Sequence, residues 1–259
     1  MPDPILTASI VGLDAHPVRV EADISPGIHT FVIVGLPDTA VQEARERVRS
    51  ALKQSNLPFP RTRIAVNLAP ADIKKSGTPF DVAIALAIMV AQGDLPIQFR
   101  VPTMFVGELG LDGSVRPIHG VLAVASLAKR IGIQELIVPQ ENAAEAALTG
   151  SPLTVRPASS PKQIVDHLQG HTLLPEEPWR TPNLNNHTLH THDFSAIRGQ
   201  MQARRALEIA AAGGHNLIMQ GPPGSGKTLL ARSFPSILPG MTLDEALDVT
   251  RIHSIAGML

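Results

Sequence analysis

Eight consecutive residues, Gly221-Pro222-Pro223-Gly224-Ser225-Gly226-Lys227-Thr228, fill the spacing Gly-x-x-x-x-Gly-Lys-Thr. That pattern suits one task, holding the phosphates of a nucleotide. Glycines let the backbone curl until successive N–H groups face one anion. A helix starting beyond Gly226 adds the positive end of its dipole. Lys227 would reach the β and γ phosphates, and Thr228 would offer its hydroxyl to Mg²⁺. Such a loop needs a strand before it and a helix after it. Asn216-Leu217-Ile218-Met219 is predicted as a short buried strand, and the Leu/Ala-rich stretch after Gly226 as the helix.

Hydrolysis asks for more than a cradle: one acid must hold the metal and another must orient water, usually at the end of an apolar strand. Downstream of the loop, Asp244-Glu245 follow Pro239-Gly240-Met241-Thr242-Leu243, which is no strand pattern. They read instead as the first turn of a helix opened by Thr242, where acids are favoured. No catalytic set is complete in this chain. His187, His190 and His192 lack a carboxylate or cysteine framework and read as part of a solvated linker, not a metal site.

Composition narrows the classes. The 259 residues are 44% hydrophobic with a net charge of −1, enough for a sizeable core and without a global field toward nucleic acid or membrane. There is no cysteine, which excludes disulfides and thiolate chemistry. The start, Met1-Pro2-Asp3-Pro4, lacks the basic and apolar regions of a signal peptide, and the apolar run Val82 to Ala91 is too short for a bilayer. The chain reads as a soluble cytoplasmic protein.

The elements that must position these residues follow from periodicity. Residues 1–170 read as one α/β domain, 171–192 as a Pro-, Asn- and His-rich linker, and 193–259 as a second unit. Strands are expected at Phe31–Val34, Ile64–Leu68, Met104–Val106 and Leu136–Val138. Val41, Ala44, Val48, Ala51 and Leu52 form an apolar stripe at helical spacing, with Thr39 and Gln42 placed as a capping box. Residues 80–91 are apolar nearly all round, which predicts a central buried helix. Further helices are expected over about 121–131, 161–169 and 201–212. With one strand and a few helices, 193–259 should be unstable alone.

Between Arg45 and Lys75 stand Arg45, Arg47, Arg49, Lys53, Arg61, Arg63, Lys74 and Lys75 against Glu46 and Asp72, a local charge of +6. Clustered cations of this kind suit phosphate contacts, and the eight are the candidate DNA-contacting residues. The competing reading is an ordinary solvated helix face.

Taken together, Asp193-Phe194, Ile197-Arg198-Gly199-Gln200, Arg205 to Asn216, the loop, and Glu245 to Gly257 resemble the magnesium-chelatase-like AAA+ family of the ComM or YifB type. Ile33 to Asp38, Glu46 to Arg49 and Val66 to Asp72 are similar to the same family, so the resemblance covers nearly the whole chain. It implies an α/β (α+β) architecture: a domain like the proteolytic domain of Lon over 1–170, then the first part of a P-loop AAA+ domain. It implies ATP and Mg²⁺ at Gly221–Thr228 and adenine near Ile197, Gly199 and Gln200. It also implies a homo-hexamer that remodels DNA, including branch migration in natural transformation and recombination. The second acidic motif, sensors and intersubunit arginine have no counterpart, so the chain is expected to be the N-terminal part of a longer protein. Peptidase chemistry is not expected. Ser76-Gly77-Thr78-Pro79 puts Pro79 where a Lon-type enzyme has its serine, and Leu122 stands near the place of its lysine. Ser76 beside Lys74 and Lys75 is a weak fallback. Two alternatives stay open: a non-catalytic DNA- or partner-binding module with an incomplete P-loop domain, and a magnesium-chelatase-type metal-insertion subunit.

Overall fold

The computed structural model describes residues 4–95, 99–180 and 192–259. Two compact units emerge, Met1–Thr181 together with Leu247–Leu259, and Pro182–Ala246.

The first unit is a mixed α/β structure. In chain order it holds β1 (Ile5–Val11), β2 (Asp14–Ser25), β3 (Thr30–Val34), α1 (Thr39–Gln54), β4 (Arg63–Ala69), α2 (Asp81–Gln92) and β5 (Thr103–Phe105). There follow β6 (Glu108–Leu109), β7 (Val115–Arg116), α3 (Val121–Arg130), β8 (Glu135–Pro139), α4 (Ala143–Ala146), β9 (Thr154–Ala158) and α5 (Pro161–Leu168). Seven strands form one sheet in the order β3-β4-β2-β1-β5-β8-β9, and β6 with β7 form a separate ribbon. The pairs β3/β4, β1/β5, β5/β8 and β8/β9 are parallel, while β1/β2 and β2/β4 are antiparallel. The sheet is therefore mostly parallel.

Alternation along the strands builds two cores. Phe105 and Ile137 face the cluster formed by α1, α2 and α5, while Met104, Leu136 and Val138 face that of α3 and α4. The apolar stripe of α1 is buried as its spacing demands, and every residue of α2 from Asp81 to Val90 is buried. Each large aliphatic side chain enclosed there contributes about 1.5–3 kcal/mol. Toward β3 the second face is less covered, and Val32 and Val34 stand exposed on that edge strand. The turn between β3 and α1 lies tight against β4. A Cβ added at Gly35 would sit 2.1 Å from the Leu68 carbonyl oxygen, and φ is +105° there, so only glycine fits.

Two expectations are corrected, and some elements are new. The cap of α1 is Asp38, whose carboxylate accepts the Val41 N–H at 2.9 Å, and not Thr39, which is already helical. The hairpin β1–β2 and the strand β9 were not anticipated. Finally, Asn216–Met219 is not a strand: Ile218 is 95% exposed. A strand exists only through its ladder, and among the described residues no second strand is available beside it.

The second unit carries α6 (Met201–Gly213) and α7 (Lys227–Ser233). Its core is small: Phe194, Ile197, Leu207 and Leu230, with Ala203, Met219, Phe234 and Ile237 against them. The helix α8 (Leu243–Ile255) begins in this unit and continues into the last residues of the chain.

Candidate functional site

Gly221 to Gly226 form the loop, and α7 starts at Lys227 behind Gly226, whose φ is +84°. That left-handed turn lets the chain swing straight from loop into helix. The ammonium of Lys227 lies across the loop, donating to the carbonyls of Gly221 (2.9 Å) and Pro222 (2.7 Å) and to Ser225 Oγ (3.1 Å). Gly224, Gly226, Lys227 and Thr228 offer backbone N–H groups with no acceptor among the described residues. Unmatched donors at a helix start are the normal condition of an anion cradle. Thr228 is exposed on the first turn of α7.

The preceding segment meets the loop through one side chain. Gln200, in the left-handed region at φ +56°, donates from Nε2 to the Ser225 carbonyl at 2.7 Å. Ile197 is buried in the unit's core, and its carbonyl accepts from Arg204 at 3.4 Å; Gly199 has open space about it. Beside the loop opens a cleft of about 390 Å³, lined by Gln200, Ala203, Leu207, Gly221, Lys227 and their neighbours. Leu217, Ile218 and Met219 form its apolar wall. Those three were expected as a buried strand; their role at the cleft could have been read from an apolar run immediately before the motif.

Among the described residues, no Asp or Glu lines this cleft. Glu245 is engaged elsewhere, accepting from the Thr242 N–H and Oγ at 2.8 Å each, while the Glu245 N–H donates back to Thr242 Oγ1 at 3.3 Å. This is a reciprocal helix cap. The Thr242 N–H first, and its hydroxyl second, hold the Glu245 carboxyl below its usual range. His192 belongs to no group of three or more metal-ligating side chains among the described residues, and His187 and His190 lie outside them.

The basic segment splits on inspection. Arg47 is withdrawn into the molecule, its guanidinium donating to Asp81 at 2.6 and 3.0 Å and to the Ala40 carbonyl at 3.0 Å. Lys75 is fully buried, and its ammonium donates to the Pro70 carbonyl; burial pushes its pKa down. Arg45, Arg49, Lys53, Arg61, Arg63 and Lys74 remain exposed. Arg45 is tied to the carbonyls of Gln42 (2.9 Å) and Phe31 (3.2 Å). Ser76 is exposed, while the Lys75 ammonium is buried and engaged by the Pro70 carbonyl. Pro79 and Leu122 are both buried.

The family described as subunit ChlI of Mg-chelatase matches residues 20–142, and a second magnesium chelatase subunit ChlI family matches residues 193–259. Competence protein ComM of Haemophilus influenzae is 40% identical over 253 residues, covering 97% of this chain and 49% of that protein. YifB of Escherichia coli, uncharacterised, is 38% identical over 259 residues, again 97% of this chain and 49% of the relative. The chain belongs to the magnesium-chelatase-like family, of the ComM and YifB type. It spans about half the length of these ComM- and YifB-type relatives. A weaker likeness links it to Lon protease 2 of Thermus thermophilus, 30% identical over 141 residues, 52% of this chain and 17% of that protein. No helix among the described residues of this magnesium-chelatase-like chain is long and apolar enough to cross a membrane.

Proposed function

We propose that residues Gly221 to Thr228 bind ATP with Mg²⁺, and that the chain is the nucleotide-binding part of an ATPase-type protein acting on DNA. The observation that carries this reading is the presence, on the loop and the first turn of α7, of four unmatched amides and the Lys227 ammonium beside a 390 Å³ cleft. On binding, the Lys227 ammonium leaves the carbonyls of Gly221 and Pro222 and takes up phosphate charge, and the loop amides fix phosphate orientation. The Thr228 hydroxyl would ligand Mg²⁺, which neutralises phosphate charge when bound. Gln200 anchors the loop through Ser225, and with Ile197 and Gly199 it would border the adenine.

Membership in the family supports placing the first unit as a Lon-like domain without peptidase chemistry. It also supports a homo-hexameric ring that remodels DNA, with branch migration in transformation and recombination as its use. Thermal unfolding with Mg²⁺ and ATP tests the nucleotide reading. At a hundredfold excess over Kd the second unit should gain about 2.7 kcal/mol. Lys227→Ala should abolish the gain. An unchanged melting curve of the wild-type chain at saturating nucleotide would refute the proposal.

A further inference from the structure

Beside α1 lies a second concavity, larger than the cleft at the loop. It measures about 560 Å³ and is lined by His29, Arg49, Lys53, Leu57, Phe59, Pro60 and Arg61. Three positive side chains from two different elements converge on it. Arg49 and Lys53 stand four apart on one face of α1, where like charges disfavour a helix. Arg45 extends the same row by one more turn. Arg61 comes from the loop that returns to β4. None of Arg49, Lys53 and Arg61 has an ion-pair partner among the described residues. Glu46 stands three residues before Arg49 on the same helix yet makes no ion pair with it among the described residues, and the three charges line the hollow.

The hollow also has an aromatic wall, which a reading of the charges alone does not reveal. Phe59 has His29 at 6.5 Å, nearly perpendicular, and Phe31 at 6.1 Å, tilted. His29 Nδ1 lies 3.2 Å from the Thr62 carbonyl oxygen. A carbonyl can only accept, so Nδ1 carries the proton and the ring is held in place with Nε2 left over.

We propose that this groove binds a single-stranded polynucleotide, with Arg49, Lys53 and Arg61 on successive phosphates and a base against Phe59. A positive groove beside aromatic rings is the arrangement that holds unpaired strands, because each base has a face to offer. In a duplex the base faces are covered by their neighbours, so the ring would have nothing to stack on. The inference rests on the reading that the protein acts on DNA, and is independent of nucleotide binding at Lys227.

Fluorescence anisotropy of the whole chain with labelled oligothymidylate, and with a duplex of equal length, tests it. The wild type should prefer the single strand, with log K falling against log salt at a slope of about −2, as three phosphates on a single strand require. The double charge reversal Arg49→Glu with Arg61→Glu, both on the surface, should weaken binding at least tenfold and flatten that slope. Phe59→Leu, which keeps an apolar contact with the core, should weaken binding roughly tenfold and leave the slope unchanged. Lys162→Glu, on the exposed face of α5, should do neither. If wild type and charge reversal bind alike, the groove is wrong and the DNA reading stands. Equal affinity for duplex and single strand, with no effect of Phe59→Leu, would overturn the single-strand assignment. If the wild type binds neither oligonucleotide, the groove and the DNA reading fall together.

Discussion

At the scale of single residues, charge and hydrogen bonding decide what each polar group can do. Glu245 illustrates this, because acids after a phosphate loop invite a catalytic reading. Its carboxylate is instead occupied by the Thr242 N–H and hydroxyl, which hold its pKa below the ordinary glutamate value. A depressed folded pKa means the cap's contribution is present above the unfolded pKa and is lost as pH falls through the folded one. NMR titration of the side chain should find Glu245 below the usual value, and Thr242→Ala, which removes the hydroxyl but keeps the backbone N–H, should move it only part of the way back up. A Glu245 that titrates at or above the usual glutamate value in the wild type would refute the cap. This pair was legible in the sequence from its spacing. Arg47 and Lys75 were not: charge counting treats every cation as exposed, and only packing showed that two of the eight point inward.

At the scale of elements, the bond between α1 and the start of α2 is the most exacting. Asp81 is buried at the head of α2, which drives its carboxyl above the ordinary range, and the Arg47 fork and the Leu109 N–H at 3.1 Å offset that pressure. Removing one partner leaves the other charge uncompensated. Arg47→Met should therefore cost about 3–5 kcal/mol in chemical denaturation, and Arg47→Met with Asp81→Leu should recover part of it. A single variant as stable as the wild type would contradict this account. Elements with strong periodicity, such as α1 and α2, could be read directly because burial on one face or on all faces leaves its mark on composition. The hairpin β1–β2 escaped because Thr7 and Ser9 interrupt the first strand with polar residues that are nonetheless buried. The segment 216–219 failed for the opposite reason: its composition suits a strand, but ladder partners are a property of the rest of the fold.

At the scale of the whole molecule, the two units differ in how much they enclose. The first has two extended cores, while the second gathers four buried side chains in its cluster. A fragment of residues 193–259 is expected to melt without a cooperative transition, whereas residues 1–170 should show one by circular dichroism. A sharp transition in the shorter fragment would count against that. The outer margin of the sheet has its own consequence. With β3 terminal in the sheet and Arg45 clasping the Phe31 carbonyl, an anchored cation stands beside that edge strand. Positive charge at such a margin repels a second copy bearing the same guard, so the arginine serves as a sentinel against fibre-like stacking. Arg45→Ala would then keep the fold and lose its colloidal restraint, seen as light scattering that grows with protein concentration.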